Sequence, residues 1–158
     1  MQAAITMPLQ GLDAVKKMIA ENKKQANNDI RGVYFSGLRA IVKQTPVDEG
    51  RARNNWFLST GTPFSLAGRE QNTGGNGSYR SISQMPDWVL NKKVFFSNNL
   101  PYIGVLEYGG YPSPVKLGSL DVKSKQYVKK SSGGFSKQAP GGWVRTTLIA
   151  MANKVRKL

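Results

Sequence analysis

Acidic side chains are the main candidates for acid–base chemistry in this sequence, because its 158 residues include neither histidine nor cysteine. Most general bases, zinc ligands and thiol nucleophiles are therefore excluded. Asp48 and Glu49 form the only adjacent acidic pair, whereas Glu107 stands alone beside Tyr108. A nuclease would need two or more carboxylates close together to hold its metal ions. We therefore expect no enzymatic activity, no catalytic residue, no cofactor and no metal, and a nuclease is the weakest interpretation.

Positive charge is concentrated in the last third of the chain. Residues 111–158 hold ten basic residues and one acidic residue, in a chain whose net charge is +14. Such an excess favours contact with an acidic surface or a polyanion. The basic loop comprises Lys116, Lys123, Lys125, Lys129, Lys130 and Lys137. Three interpretations stay open: a solvated surface, contact with DNA phosphates without sequence readout, and docking on an acidic neighbouring protein.

The elements that position these residues begin with a long N-terminal helix over residues 11–44. Apolar residues recur there at steps of three, four or seven, as expected for one face of a helix. We expect a break or kink near Asn27, Asn28 and Gly32, which are poor helix formers. Pro46 disfavours helix at Thr45 and ends the element. The face consists of Leu12, Val15, Ile19, Ala26, Ile30, Val33, Leu38 and Ile41.

Short strands and helices follow in an order typical of an α+β protein. Residues 47–50 predict a turn, in which Gly50 takes a positive φ. Residues 54–60 and 93–97 predict the strands of a small antiparallel sheet, and residues 101–108 predict one or two helical turns. Residues 143–156 predict a C-terminal helix with one apolar stripe. That stripe consists of Val144, Leu148, Met151 (or Ala152) and Val155.

Two long polar segments, residues 61–85 and 111–140, separate these elements within a single domain spanning residues 1–158. We expect both to be loops that serve assembly, because loops of this length are uncommon unless functional. Within the second, residues 121–129 predict one short strand. The predicted core joins the two long helices and the two strands, and the aromatic side chains are interpreted mainly as core, with base stacking as the alternative. They are Trp56, Phe57, Trp88, Phe95, Phe96 and Trp143.

Membrane and export signals are missing from the sequence. It contains no run of eighteen or more apolar residues, so we expect no membrane contact. Residues 1–12 have no basic region leading into a long apolar run, and we expect no signal peptide.

Three blocks of sequence resemble a known family. Residues 45–56, TPVDEGRARNNW, resemble the TPVDTGxLRxS signature of the tail-component (neck and tail-completion) family of long-tailed bacteriophages. Residues 99–109, NLPYIGVLEYG, are similar to that family's xxxYAxxxExG block, and residues 140–148, PGGWVRTTL, are similar to its closing helix. Glu49 and Ala52 depart from the family's commoner threonine and leucine.

The resemblance implies an α+β fold assembled as a ring of six copies on the tail axis, between the head connector and the tail tube. It implies contacts with head-completion, tail-terminator or tail-tube proteins. Contact with genomic DNA passing through the lumen, without sequence specificity, is one of the three interpretations left open for the basic loop. It places the chain in the virion neck or tail top, and in the host cytoplasm during assembly. Arg53 and Glu107 are the candidate interface residues; pairing of Arg53 with Asp48 or Glu107 inside one subunit remains open, as does a helix-end salt bridge for Glu107. The alternative function is a small basic nucleic-acid-binding protein.

Overall fold

The computed structural model describes residues 10–110, 119–121, 124–128, 131–132, 135–139 and 141–158. The predicted α+β class is confirmed: a long N-terminal helix, a small two-stranded antiparallel sheet and a C-terminal helix frame the molecule. The elements are α1 (Gln10–Gln44), β1 (Phe57–Thr60), α2 (Asn76–Ser83), β2 (Val94–Ser97), α3 (Ile103–Tyr108), β3 (Ser119–Asp121), β4 (Gln126–Val128), β5 (Ser131–Ser132), β6 (Phe135–Ser136) and α4 (Val144–Val155).

The helix α1 runs unbroken for 35 residues, so the predicted break is wrong. Asn27 is a poor helix former, but its buried side chain is satisfied by another part of the chain. Its Nδ2 donates to the carbonyl of Asp87 at 2.7 Å, and its Oδ1 accepts from the N–H of Val89 at 2.8 Å. The two bonds anchor the segment before β2 to the middle of the helix. Tertiary hydrogen bonds therefore outweigh the low helix propensity of asparagine.

Replacing a glycine of α1 with alanine should have opposite effects on the free energy of unfolding at Gly32 and at Gly37. A Cβ at Gly32 meets nothing within 4 Å, so Gly32→Ala should raise the free energy of unfolding by about 0.5–1 kcal/mol. A Cβ at Gly37 would overlap the thioether of the buried Met151, which must then move, so Gly37→Ala should lower it by about 1 kcal/mol. Urea unfolding of both variants measures the pair. Equal effects would mean that α1 and α4 do not cross closely at Gly37.

The sheet pairs β1 with β2 in antiparallel register, with Phe57 opposite Ser97 and Thr60 opposite Val94. The helix α2 covers the other edge of β1. Its hydroxyls accept hydrogen bonds from the strand's free N–H groups, from Trp56 to Ser78 and from Leu58 to Ser81, both at 2.8 Å. Two serines thus satisfy a strand edge that would otherwise be unpaired.

The prediction that residues 61–85 form a loop is therefore wrong for its second half. Residues 76–83 form α2, and Ile82 and Met85 are buried in the core. The helix escaped prediction because serine, rather than an apolar residue, fills its inward positions at 78 and 81. Residues 61–74 carry no helix or strand and are mostly exposed, as predicted for a loop.

The core joins α1, the sheet and the start of α4 as predicted, and it also includes α2 and α3. Trp56 and Trp143 are buried, and the ring of Phe96 stacks on Trp56 with centroids 5.1 Å apart. The core prediction is wrong for Trp88, which is 41% exposed, because it precedes Val89 in an irregular segment where only the valine points inward. The side chains of Phe57, Phe95 and Phe96 are half-buried, because a two-stranded sheet covers few of its own side chains.

The buried face of the C-terminal helix is shifted from the predicted stripe. Met151 of that stripe is buried and Val144 packs against the core, but Leu148 and Val155 stay exposed, and Thr147, outside the stripe, is buried. The shift arises because Trp143 is held at Ile41, where its indole Nε1 donates to the carbonyl at 3.0 Å. Since Met151 contacts α1 at Gly37, α4 runs back along α1 from Ile41 towards Gly37.

The segment 111–140 contains more strand than predicted. In place of one strand over residues 121–129, β3 and β4 form a hairpin in which Ser119 lies opposite Val128. A second small hairpin pairs β5 with β6, with Ser131 opposite Ser136. In the described ranges, no helix is both long and apolar enough to cross a membrane.

Candidate functional site: the junction of the three blocks

The first block begins where α1 ends, and its residues bond one another tightly. The hydroxyl of Thr45 donates to the carbonyl of Ile41 at 2.7 Å and accepts from the indole Nε1 of Trp56 at 2.9 Å. One side chain therefore joins the last turn of α1 to the residue before β1. The predicted turn follows Pro46, and Gly50 has the predicted positive φ, at 84°.

Arg53 closes the C-terminal end of α1. Its guanidinium donates to the carbonyls of Lys43 at 2.9 Å, Thr45 at 3.0 Å and Thr73 at 3.0 Å. The last carbonyls of a helix lack partners within the helix, and a cation there also interacts favourably with the helix dipole. The arginine of the signature thus ties the helix end to residues 72–75. Its predicted contact with another subunit stays a prediction.

Glu107, from the second block, connects α3 to the start of α4. Its buried carboxylate accepts backbone N–H bonds from Trp143 at 2.8 Å, Val144 at 2.9 Å and Arg145 at 3.0 Å. These are groups that the first turn of a helix leaves unpaired, and an anion there is stabilised by the helix dipole. The carboxylate acts as a cap supplied from 36 residues earlier in the chain.

The same carboxylate forms the predicted salt bridge, and Arg145 is its partner. The guanidinium Nε lies 3.1 Å from Oε1 of Glu107, and the guanidinium stacks over the ring of Tyr108, 4.6 Å from its centroid. Glu107 thus binds both the N–H groups at the start of α4 and the guanidinium of Arg145 within one chain. The carboxylate has no free position for a general base, and its predicted role at a subunit interface stays a prediction.

Opposing effects set the pKa of Glu107. Burial raises it, whereas the hydrogen bonds from the N–H groups of Trp143, Arg145 and Val144 and from the Arg145 side chain lower it more strongly. The net result is a pKa below the ordinary value of 4.5. The side chain is therefore ionised at neutral pH, as a cap of this kind requires.

The close approach of the third block to Glu107 requires glycine at position 142. Gly142 has a φ of 79°, and a Cβ there would lie 2.5 Å from the carbonyl oxygen of Glu107. A side chain would push α3 away from α4 and open the cap. The Pro-Gly-Gly-Trp sequence therefore lets the chain pass close to Glu107 immediately before Trp143.

The first and second blocks also meet in the core, where Ala52 and Trp56 belong to the same buried cluster as Leu100 and Leu106. Immediately before the second block, the amide Nδ2 of Asn98 donates to the carbonyl of Ala52 at 2.9 Å. Burial raises the pKa of Tyr102, nearby Arg51 opposes that effect, and the carboxylates of Glu49 and Asp48 add to it. The phenol at the start of the second block therefore lies near the turn of the first block. We call the convergence of residues 45–56, 99–109 and 141–148 the motif junction.

An exposed stretch of α1 is the second feature that can contact other molecules. Residues 11–26 are exposed throughout, and we call them the N-terminal arm. The arm is a helix of about 24 Å, at 1.5 Å per residue. Its apolar side chains Leu12, Val15 and Ile19 are each between 45% and 47% exposed. Such a stripe is normally covered in a soluble protein.

The predicted lysine cluster is only partly within the described residues. Lys125 and Lys137 are exposed, and Lys125 lies in the turn between β3 and β4 with a φ of 54°. The other four lysines of the basic loop, Lys116, Lys123, Lys129 and Lys130, lie outside the described residues. The structure thus puts two of the six in contact with solvent.

The described residues offer little for a cofactor or metal. Across those ranges, no three acidic side chains lie close enough together to hold a metal ion. An open groove of about 310 Å³ between α1 and α4 is lined mainly by small side chains, including Gly37, Ala40 and Ala150. Its one charged lining residue is Lys154.

Comparisons with known proteins give no match: no family model, curated protein or solved structure is significantly similar to this chain.

Several residues of the motif junction were missed by sequence analysis. The hydrogen-bonding roles of Thr45, Trp143 and Arg145 depend on partners far along the chain. Ser78 and Ser81 gave no signal either, because serine is common in loops. A usable signal was the pair Asn54-Asn55 before β1: both side chains accept backbone N–H bonds, from Gly77 and Gly68, each at 2.6 Å.

Proposed function

We propose that this chain is a structural virion protein that forms a ring at the head–tail junction or tail top of a long-tailed phage. It would be needed for tail completion and head–tail joining, and it has no catalytic role. Its partners would be further copies of itself, neighbouring head-completion, tail-terminator or tail-tube proteins, and DNA passing through the lumen.

The observation that carries the proposal is the motif junction. All three blocks that resemble the phage family meet there, and Glu107 bonds directly to the start of α4. The structural contacts of these residues, which hold two helices and a strand together, are enough to explain why the residues occur in the blocks, and no catalytic role is needed. This is the pattern expected when a signature marks a building block rather than an active site.

Exposed surfaces give the proposal further support. A ring subunit needs apolar surface beyond its own core, and the N-terminal arm supplies a stripe of it. Residues 61–85 and 111–140 are the predicted contacts with neighbouring subunits or rings, and within the first of these segments residues 61–74 are mostly exposed.

The test is a stop codon early in the gene, complemented from a plasmid, with particles counted by electron microscopy. Loss of the protein is expected to leave filled heads and unattached tails, and complementation is expected to restore joined particles. The purified chain is expected to show multimers in analytical ultracentrifugation. Normal infectious yields without the protein, or its absence from purified particles, would refute the proposal.

The alternative, a nucleic-acid-binding protein, is supported by the exposed Lys125 and Lys137 and by the charge of the last third. It predicts that the purified chain binds random duplex DNA. The logarithm of the affinity should then fall linearly with that of the salt concentration, with a slope of about −0.9 for each phosphate contacted. Tight binding of this kind by a strictly monomeric chain would favour the alternative.

Reversing charge in the basic loop tests where that charge acts. The variant with Lys125, Lys129 and Lys130 changed to Glu should fold normally, because Lys125 is exposed, but should impair head–tail joining or DNA retention. A neutralised or inverted patch loses its attraction to phosphates or to an acidic ring. The matched control changes the exposed Lys43, Lys92 and Lys93 to Glu. Normal yields of filled, infectious particles from the loop variant would exclude a role for these lysines.

A further inference from the structure

The apolar stripe of the N-terminal arm continues a face of α1 that is covered further along the same helix. Leu12, Val15 and Ile19 share the helical spacing of the positions at Gly37 and Ile41. At those two positions α4 packs against the helix, through Met151 and Trp143. The structure thus shows that α4 covers this face near Gly37 and Ile41, whereas no described residue covers it at Leu12, Val15 and Ile19.

A second apolar stripe lies uncovered on α4 itself. Leu148, Ala152 and Val155 are spaced four and three residues apart and are all exposed, with Leu148 at 49%. We call these three residues the α4 flank. Leu148 and Val155 belong to the stripe that the sequence predicted as the buried face of the helix, and Ala152 was the alternative there to the buried Met151. The flank lies beside the buried Met151, so it extends the molecule's own core outward.

The two stripes cannot meet within one copy. Val155 lies four residues beyond Met151, so α4 ends about 6 Å past its contact at Gly37. Ile19 is 18 residues before Gly37, or about 27 Å along α1. A gap of roughly 20 Å remains, and the three residues after Val155 span at most about 10 Å.

We propose that the N-terminal arm of one copy packs against the α4 flank of a second copy. The contact itself does not depend on the proposed function; only the expectation that successive contacts close into a ring rests on it. One arm-to-flank contact covers both stripes at once, whereas an arm-to-arm or flank-to-flank pair leaves one stripe exposed in every dimer. Because the two surfaces differ, each copy donates one arm and accepts another, and such head-to-tail contacts produce rings or filaments.

Charge gives this contact a signature that distinguishes it from binding to DNA. The arm carries four lysines against Asp13 and Glu21, and residues 144–158 carry four basic side chains and no acidic one. Both surfaces are therefore positive, and their attraction must come from apolar burial. Added salt screens the repulsion and should tighten the contact, whereas it weakens binding to a polyanion.

The experiment uses two variants of the full chain, each with one surface disrupted. The arm variant carries Val15→Glu and Ile19→Glu, and the flank variant carries Leu148→Glu and Val155→Glu. A carboxylate buried without a partner is costly, so each change should raise the dissociation constant of the multimer by at least about tenfold, or about 1.4 kcal/mol. Sedimentation velocity measures the mass, and circular dichroism checks that the helices persist.

A matched control separates the stripe from the charge that the variants add. Ala14→Glu with Gln25→Glu adds the same two negative charges to the arm, at exposed positions off the stripe. This control should assemble at least as well as the unchanged chain. Dissociation of the control to the same extent as the arm variant would overturn the proposal.

Mixing the arm and flank variants provides the decisive result. Each is expected to be monomeric alone, but the mixture retains one intact arm and one intact flank, so it should form a one-to-one heterodimer that cannot grow. Dimers of the flank variant alone would indicate arm-to-arm pairing and would overturn the proposal. A monomeric wild-type chain at high salt and about 100 µM, as expected if residues outside the described ranges cover the arm, would also overturn it.

The outcome is independent of the virion proposal. A heterodimer in the mixture, from a chain that is absent from purified particles, would keep the arm-to-flank contact and reject the phage function. No heterodimer, from a chain whose loss still separates heads from tails, would keep the function and reject the contact.

Discussion

Replacing Trp143 with alanine is expected to lower the free energy of unfolding by about 3–5 kcal/mol, the range measured for buried Trp→Ala changes. The indole is 2% exposed and packs in the core where α1, α3 and α4 meet. Its loss removes the apolar contacts of a large side chain and leaves a cavity. It also removes the hydrogen bond from Nε1 to the carbonyl of Ile41. Equilibrium unfolding in urea measures the change.

Trp88→Ala is the matched control, because the same side chain is removed from a position that is 41% exposed. We expect that change to cost less than about 1 kcal/mol. Similar losses at both positions would mean that Trp143 does not form the centre of the core. In that case the packing of α4 on α1 would need revision.

Replacing Glu107 with alanine should lower the free energy of unfolding by about 3 kcal/mol, because three backbone N–H groups at the start of α4 lose a charged acceptor. Glu107→Gln should cost less, since the amide oxygen still accepts, although its NH₂ group then faces N–H donors. Glu70→Gln changes an exposed carboxylate and is the control, with little expected effect. A Glu107→Gln variant as stable as the wild type would show that the charge is unimportant to the cap.

Lowering the pH should remove the contribution of Glu107 to the free energy of unfolding. Its pKa in the folded protein lies below the ordinary value of 4.5, so the unfolded chain takes up this proton first as the pH falls. The stabilisation is complete above the unfolded pKa and is lost as the pH falls through the folded pKa. The stability difference between wild type and Glu107→Gln should therefore be constant near pH 7 and shrink below about pH 4.5. A difference that stays constant down to pH 2 would contradict the depressed pKa.

Sequence analysis identified Arg53 and Glu107 in the motif junction and predicted a helix-end salt bridge for Glu107, but it did not predict the partners of either residue. The signature drew attention to Arg53 and Glu107, and Gly50 was predicted to have a positive φ from turn chemistry alone. The partners of those two residues lie at Thr73 and at Trp143–Arg145, and no local pattern connects them.

The sequence by itself determined the α+β class, the two ends of α1, the positions of the strands β1 and β2, and the position of α4. These follow from local periodicity and from proline and glycine at the element ends, which act within a few residues. Tertiary structure decided that Asn27 supports a continuous helix, that Ser78 and Ser81 replace a strand neighbour, and which face of α4 is buried. In each case the deciding contact lies far along the chain. A buried polar residue such as Asn27 or Ser78 is stable because a distant group satisfies its hydrogen bonds. The buried face of α4 is set by Trp143, whose indole is held at Ile41.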